Sequence, residues 1–336
     1  MQLKPILFSA IQPSGNLTLG NYIGTMRHWS KMQNDYDCLY CIADLHAMTS
    51  ISQYSCLKKS TLDVLSLYLA CGIKPNKSIL FLQSHVHQHN QLNWILNCFS
   101  RFSELLRMTQ FKTKKKFHYD SIMKNNLGLF NYPILMASDI LLYQTNIVPV
   151  GQDQKQHLEL TRNIARRFNL LYGNIFTVPV PLIDKYGSKI MALLEPHKKM
   201  SKSDHNKNNV IFLLENMSSV ILKIQHAVTD SDKPPRIYYN KKNKPGISNL
   251  LEILSIISKK DISHLEKELE NVTYSEFKNI VSEYVSNLLS KLQASYTKYR
   301  NNELYLKNIL YDGAVRARSK SEIILKKIYS KLNLFL

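Results

Sequence analysis

The stretch from Ile6 to Asn21 constrains this chain more than any other. An apolar run, Ile6 to Ile11, breaks at Gln12-Pro13-Ser14-Gly15-Asn16 and resumes as an amphipathic run through Thr18-Leu19-Gly20-Asn21. Leu7, Phe8 and Ile11 suit a buried strand, the proline, serine, glycine and asparagine are turn chemistry, and the following spacing is helical. A strand, turn and helix in that order puts glycine and the unpaired N–H groups of a helix start at the strand's carboxyl end, where a polyanion is well received. An ordinary βα turn reads the same way, so this stretch alone leaves the two open.

The alternation continues. Strand-like runs at Ile6 to Ile11, Cys38 to Ala43, Ser78 to Leu82, Ile147 to Val150 and Ile175 to Val180 are separated by helical runs such as Gly20 to Met32, Ser55 to Cys71 and Asn90 to Phe99. That order predicts an α/β fold, a mostly parallel Rossmann-like sheet with helices on its faces. After Asp204 only helical patterns follow, among them Val220 to Val228, Ile247 to Ile257 and Tyr274 to Tyr296. The expected division is a catalytic domain over 1–195 and a helical domain over 196–336.

Five cysteines, an odd number, argue for reduced thiols, and Cys38 and Cys41 lie in a strand pattern as core residues rather than a metal or redox pair. His85, His87 and His89 alternate after a strand end and read as a polar loop without an accompanying carboxylate. No long uncharged apolar run and no leader are apparent, which predicts a cytoplasmic protein without a membrane partner. The net charge of +19 is consistent with a nucleic-acid partner, as is the basic run Phe111 to His118. The chain is also rich in Lys, Asn and Ile with only 10 Gly, the bias of an A+T-rich coding sequence, so charge alone does not establish RNA binding.

Two further stretches carry candidate chemistry. In Tyr132 to Tyr143 the polar pair Ser138-Asp139 sits inside an apolar run, and a buried carboxylate must be capped, paired or used. Asp139 as a helix cap and Asp139 as a ligand remain equal readings. Helical spacing puts Tyr132, Met136 and Asp139 on one face, an aromatic, a soft wall and an acceptor that would suit an indole with its single N–H. In Ile147 to Leu158 a strand ends at Gly151 and runs into Gln152-Asp153-Gln154, a crevice position for ribose or amino-group contacts, with Asp153 as a helix cap the alternative.

Far downstream, Lys199-Met200-Ser201-Lys202-Ser203 sets two lysines among small hydroxyls. Together with Thr18-Leu19-Gly20-Asn21 it resembles the paired signatures of class I aminoacyl-tRNA synthetases, the first degenerate and the second intact. Tyr22-Ile23-Gly24, Ala43 to Ala47, Arg107 to Lys112, Met136 to Tyr143, Val148 to Leu160 and Ala227 to Ser231 narrow the resemblance to the bacterial tryptophanyl-tRNA synthetases, along essentially the whole chain.

The resemblance implies tryptophan activation by Mg-ATP, transfer to tRNA(Trp), a homodimer, and no dedicated protein metal site. It implies ATP contacts from Gln12, Pro13, Ser14, Gly20, Asn21, Gly151, Gln152, Asp153 and Ile190, with Lys199, Met200, Ser201, Lys202 and Ser203 closing over the phosphates. Lys199 and Lys202 would be the catalytic pair. For tryptophan it implies Asp139 as acceptor of the indole N–H, with Phe8, Met136, Val148 and Val150 on the ring. Tyr132, Gln154 and Gln110 would hold the amino and carboxylate groups, and His46 would line the pocket. The chain departs from the pattern at Gln152 (often Glu), Ser138 (often Ala), Leu45 (often Gln) and Ala192 (usually Ser). A tyrosine-specific relative and a non-catalytic RNA-binding paralogue are the rival readings; the first would need polar partners for a phenol, and the second is expected to lose one of the two signatures.

Overall fold

The computed structural model describes residues 4–13, 16–49, 54–109, 126–151, 154–182, 189–202, 204–232 and 234–335. The expected roles of Ser14, Gln110, Gln152, Asp153 and Ser203, and the basic run Phe111 to His118, lie outside these residues.

Five parallel strands, β1 (Ile6–Ile11), β2 (Asp37–Ile42), β3 (Ile79–Leu82), β4 (Ile147–Pro149) and β5 (Val180–Leu182), form one sheet in the order β3-β2-β1-β4-β5. The order runs outward from β1 to β3 and then reverses through β4, so the switch point lies between the carboxyl ends of β1 and β4, where such sheets bind ligands. Four strands fall where the alternation predicts them. The fifth is displaced: β5 begins at Val180, and the run before it pairs with side chains instead of a strand. Gln144 takes the Thr177 N–H (2.7 Å) and donates to the Ile175 carbonyl (2.9 Å), while Asn169 does the same for Phe176 (2.8 Å each way). With its backbone groups met by two amides, this run needs no neighbouring strand.

Period-two alternation sorts the strand residues onto two faces. Leu7, Tyr40, Ile42 and Leu80 point into a core with Trp29, Tyr68, Val220, Ile247 and Phe277. Phe8, Leu39, Cys41, Ile79 and Phe81 point into the other, with Ile134, Ile164 and Phe168. Both Cys38 and Cys41 are thus buried core residues, and the described cysteines are free thiols.

The first face is covered by helices from both halves of the chain. After β1 comes α1, a continuous run of Leu19–Asn21, the π-wound Tyr22–Met26 and Arg27–Asp35. The short α2 (Asp44–Ala47) follows β2, and α3 (Leu57–Ala70) precedes β3. On the second face lie α4 (Gln88–Cys98), α5 (Phe102–Leu106), α6 (Leu127–Leu141) and α7 (Lys155–Tyr172). Beyond the lysine loop the described elements are helical: α8 (Met217–Gln225), α9 (Pro245–Ser258), α10 (Ile262–Glu268), α11 (Tyr274–Arg300) and α12 (Glu303–Lys331). Thr273 starts α11 with a reciprocal capping box to Glu276, which satisfies two N–H groups at once.

α12 returns to the sheet. Its first half, with Leu306, Ile309 and Leu310, belongs to the first core, and its second half, with Ala314, Ala317 and Ile324, to the other. It therefore rounds the β3 edge. The crossing point is Gly313, where an added Cβ would lie 1.7 Å from the Leu80 carbonyl oxygen. Arg316 donates to the carbonyl of Pro75 (2.9 Å) and Lys320 pairs with Asp37 (2.8 Å). Edge strands carry unpaired backbone groups, and a close-lying helix covers this one.

Candidate active site

The first signature is built by pairing across the chain. Thr18 caps α1, its hydroxyl accepting the Asn21 N–H (3.2 Å) while the Asn21 side-chain oxygen accepts the Thr18 N–H (3.0 Å). Leu19 donates its N–H to Ile211 (2.9 Å) and Leu213 donates back to Leu17 (2.8 Å). The expectation of unpaired N–H groups at this helix start is thus corrected: those of Leu19 and Asn21 are taken, the first by a segment that lies almost two hundred residues on. Gln12 is half-buried, Pro13 buried, and Asn21 exposed.

The second signature pairs with a strand-like stem. Met200 donates to the Ile190 carbonyl (2.9 Å) and Ala192 to that of Lys198 (2.8 Å), around an antiparallel bridge between Met191 and Lys199. The stem is fixed from the helical half. Asn249 on α9 grips Met191 through both its N–H (2.8 Å) and its carbonyl (3.0 Å), and Val228 donates to Leu193 (2.9 Å). Asn209, wholly buried, donates to Glu195 (3.0 Å) and Asp204 (3.1 Å), tying the two ends of the loop. Lys199 and Ser201 are exposed at the tip; Lys202 is half-buried, and burial lowers its pKa.

These two constructions meet. A Cβ built on Gly20 would sit 3.8 Å from the Cβ atoms of both Ile190 and Met200, which is ordinary van der Waals contact, so the turn lies directly against both residues. Gly20, Ile190 and Met200 are therefore brought together, with Lys199, Ser201 and Lys202 carried on the same loop. Gly151 is exposed just past β4, next to β1 in the sheet and so on the far side of the switch point.

On the second face of the sheet lies a buried polar cluster. Asp139 is 2% exposed, inside α6 rather than at its start, so the reading of Asp139 as a helix cap falls. Its Oδ2 meets His46 Nε2 at 2.8 Å, its Oδ1 meets His89 Nδ1 at 2.7 Å, and Gln83 Nε2 donates to both oxygens, at 2.8 and 3.0 Å. Burial alone would raise the pKa of this carboxyl. The two imidazoles more than offset it and hold the group well below the usual carboxylate range. As an anion it accepts only, so all three partners donate.

Of the other expected pocket residues, Tyr132 reaches this cluster through His46. Tyr132 lies edge-on to His46 with ring centroids 6.3 Å apart, and its hydroxyl meets His157 Nε2 at 2.6 Å; burial pushes that hydroxyl up to about 12. Phe8 and Val148 are buried in the same apolar cluster, and Met136 and Val150 pack against it half-buried. Gln154 caps the start of α7, its N–H on the Gly151 carbonyl at 3.0 Å. Ser138, one of the departures, donates to the His89 carbonyl at 2.7 Å.

Three residues of this cluster escaped the sequence reading: Gln83, Tyr143 and His89. His89 is not in a polar loop as expected. It is fully buried on α4, while His85 and His87 are exposed. The available signal was Asp139 itself, a carboxylate in an apolar run whose charge required donors from elsewhere.

The sequence matches the family of class I tRNA synthetases for W and Y over residues 2–290. The chain belongs to that family. The tryptophan--tRNA ligase of Buchnera aphidicola subsp. Schizaphis graminum is 68% identical over 331 residues, 98% of each chain, and that of B. aphidicola subsp. Acyrthosiphon pisum is 67% identical over the same share. Among solved structures, tryptophanyl-tRNA synthetase from Mycoplasma pneumoniae superposes with a TM-score of 0.88 at 36% identity, covering 99% of both chains. The enzyme from Campylobacter jejuni, complexed with ADP and tryptophan, gives 0.80 at 32% identity and covers 98% of this chain and 100% of that one.

Proposed function

We propose that this chain activates L-tryptophan with ATP to tryptophanyl-adenylate and transfers the aminoacyl group to the 3′-terminal adenosine of tRNA(Trp). It is a tryptophan–tRNA ligase in activity, as its relatives at 68% and 67% identity are by name. The observation that supports the reading is the contact of the Gly20 turn with Ile190 and Met200, which sets the lysine loop beside the helix start that follows β1. In the first step a tryptophan carboxylate oxygen attacks the α-phosphorus of Mg-ATP and pyrophosphate leaves. In the second the ribose hydroxyl of the tRNA attacks the acyl carbon and AMP leaves. No side-chain nucleophile is required. The protein's work is placement and neutralisation of phosphate charge, and the magnesium arrives with the nucleotide as substrate.

In this reading Lys199 and Lys202 neutralise the phosphates. Gln12, Pro13, Gly20, Asn21, Gly151, Ile190, Met200 and Ser201 surround the nucleotide, with Ser14, Gln152, Asp153 and Ser203 completing that surface. Asp139 accepts the indole N–H, and Phe8, Met136, Val148 and Val150 pack on the ring. Tyr132, Gln154, Gln110 and His46 complete the amino-acid pocket. Residues 1–195 act as the catalytic domain and 196–336 as the part that engages the tRNA, in the cytoplasm. Among the described residues no helix is long and apolar enough to cross a membrane. The reading includes a homodimer, for which the exposed apolar side chains Trp94, Phe102 and Leu127 on helices α4, α5 and α6 are candidate contacts. Tryptophan-dependent ATP–pyrophosphate exchange, run beside tyrosine and followed by charging of tRNA(Trp), tests the reading; exchange with tyrosine but not tryptophan would overturn it.

A further inference from the structure

Behind the Asp139 carboxylate stands a second row of buried polar groups, His89 and Tyr143. His89 is wholly buried and held at both ends: Nδ1 lies 2.7 Å from Asp139 Oδ1 and Nε2 2.8 Å from the Tyr143 hydroxyl. Its ring stacks on Phe81 with centroids 5.9 Å apart, and its backbone carbonyl is fixed by Ser138. Tyr143 is itself 2% exposed and stacked on Phe8 at 5.9 Å. Turning the wholly buried imidazole would break both ring hydrogen bonds, so the ring has one orientation. Asp139 inherits it, because a carboxylate whose Oδ1 is pinned by His89 cannot rotate without leaving a buried donor unpaired.

A hydrogen-bonding site rejects a substrate analogue only if its acceptor stays where the missing donor would have been; an acceptor free to turn finds another partner. We propose that His89, seated by Tyr143, is a positioning residue for side-chain recognition: it fixes the Asp139 carboxylate so that one oxygen edge faces the substrate's ring N–H. This deepens the reading of Asp139 as the indole acceptor and rests on it. His46, beside Tyr132, holds one carboxylate oxygen and His89 holds the other, so the two histidines on one aspartate divide the work.

The test is kcat/KM in pyrophosphate exchange for tryptophan and for 3-(3-benzothienyl)alanine, which has the same bicyclic shape with sulfur in place of the N–H. Four variants of the full chain are compared: Asp139→Ala, His89→Leu, His89→Asn and Tyr143→Phe. The preference for tryptophan is expected to fall roughly tenfold in His89→Leu, the scale of one net hydrogen bond, with the loss in KM more than in kcat. It is expected to recover in His89→Asn, whose amide N–H replaces Nδ1, and to fall by a smaller factor in Tyr143→Phe. An unchanged preference in His89→Leu, with preference lost in Asp139→Ala, overturns the positioning role and leaves the indole assignment standing. An unchanged preference in Asp139→Ala overturns the assignment beneath it. Should His89→Leu fail to fold, Tyr143→Phe decides: a lowered preference supports the proposal and an unchanged one sinks it.

Discussion

Replacing Gly313 by alanine should destabilise this protein, against the ordinary sign of that substitution. In a helix interior, alanine is favoured over glycine by about 1 kcal/mol. At Gly313 the new Cβ would stand 1.7 Å from the Leu80 carbonyl oxygen, 2.7 Å from its carbon and 3.4 Å from the Phe81 nitrogen. All three are strand backbone, which has no rotamer to yield. α12 would have to retreat from β3 by about 1.5 Å or more to restore van der Waals spacing. Ala314 and Ala317, now 2% and 0% exposed, would lose their own close contacts with it. Overpacking costs of about 1–3 kcal/mol, and more against an unyielding neighbour, exceed the propensity gain, so a net loss of about 2 kcal/mol is expected. Gly24 supplies the control: it is helical, and an added Cβ there meets nothing within 4 Å, so Gly24→Ala should be neutral or stabilising. Urea unfolding of the two variants beside the parent, compared at constant m, measures both signs. A Gly313→Ala protein as stable as Gly24→Ala would refute the close approach.

On the proposed role of Lys202, Lys202→Ala should slow single-turnover adenylate formation by roughly two orders of magnitude while changing tryptophan binding much less, as expected of a charge that acts mainly in the transition state. Equal effects on both would make the loop a binding element only. The Asp139 carboxyl is held below its unfolded pKa, so its stabilisation is present above the unfolded value of about 3.9 and is lost as pH falls through the lower folded value. The stability gap between the parent and Asp139→Asn should accordingly be flat from neutral pH down to about pH 4 and shrink below it; a gap that grows on acidification contradicts the sign. If the proposed homodimer forms through Trp94, Trp94→Glu should sediment as a monomer at assay concentration where the parent sediments as a dimer, and a parent that is already an active monomer would overturn the proposal.

The strands were legible because β1, β2 and β3 are buried on both faces of the sheet and so read as short apolar runs between helical ones. The fifth strand was not, because the carbonyls and N–H groups around Phe176 are satisfied by the Gln144 and Asn169 side chains, and no local pattern announces that a distant amide will replace a ladder. The meeting of Gly20 with Met200 was implied by resemblance and invisible to periodicity, since it depends on Ile211 to Leu213 folding back beside Leu17 to Leu19. Asp139 marks the limit most clearly. Its apolar surroundings showed that the charge needed partners, but those partners come from α2, the turn after β3 and α4, and side-chain spacing within one helix cannot select among them.

The crowding of Asp139 also changes the arithmetic of recognition. A carboxylate offers about four lone-pair directions, and here three donor groups share them, Gln83 Nε2 reaching both oxygens. An arriving N–H therefore displaces the shared Gln83 contact from one oxygen, and the hydrogen bond it forms is set against the one it evicts. For the right ligand the balance is near zero, so affinity has to come from burying the ring. For a ring of the same shape without the N–H, a donor is evicted and none is returned, and the full penalty of an unpaired buried group falls on the impostor. A site arranged this way contributes little to holding its substrate and much to refusing the others.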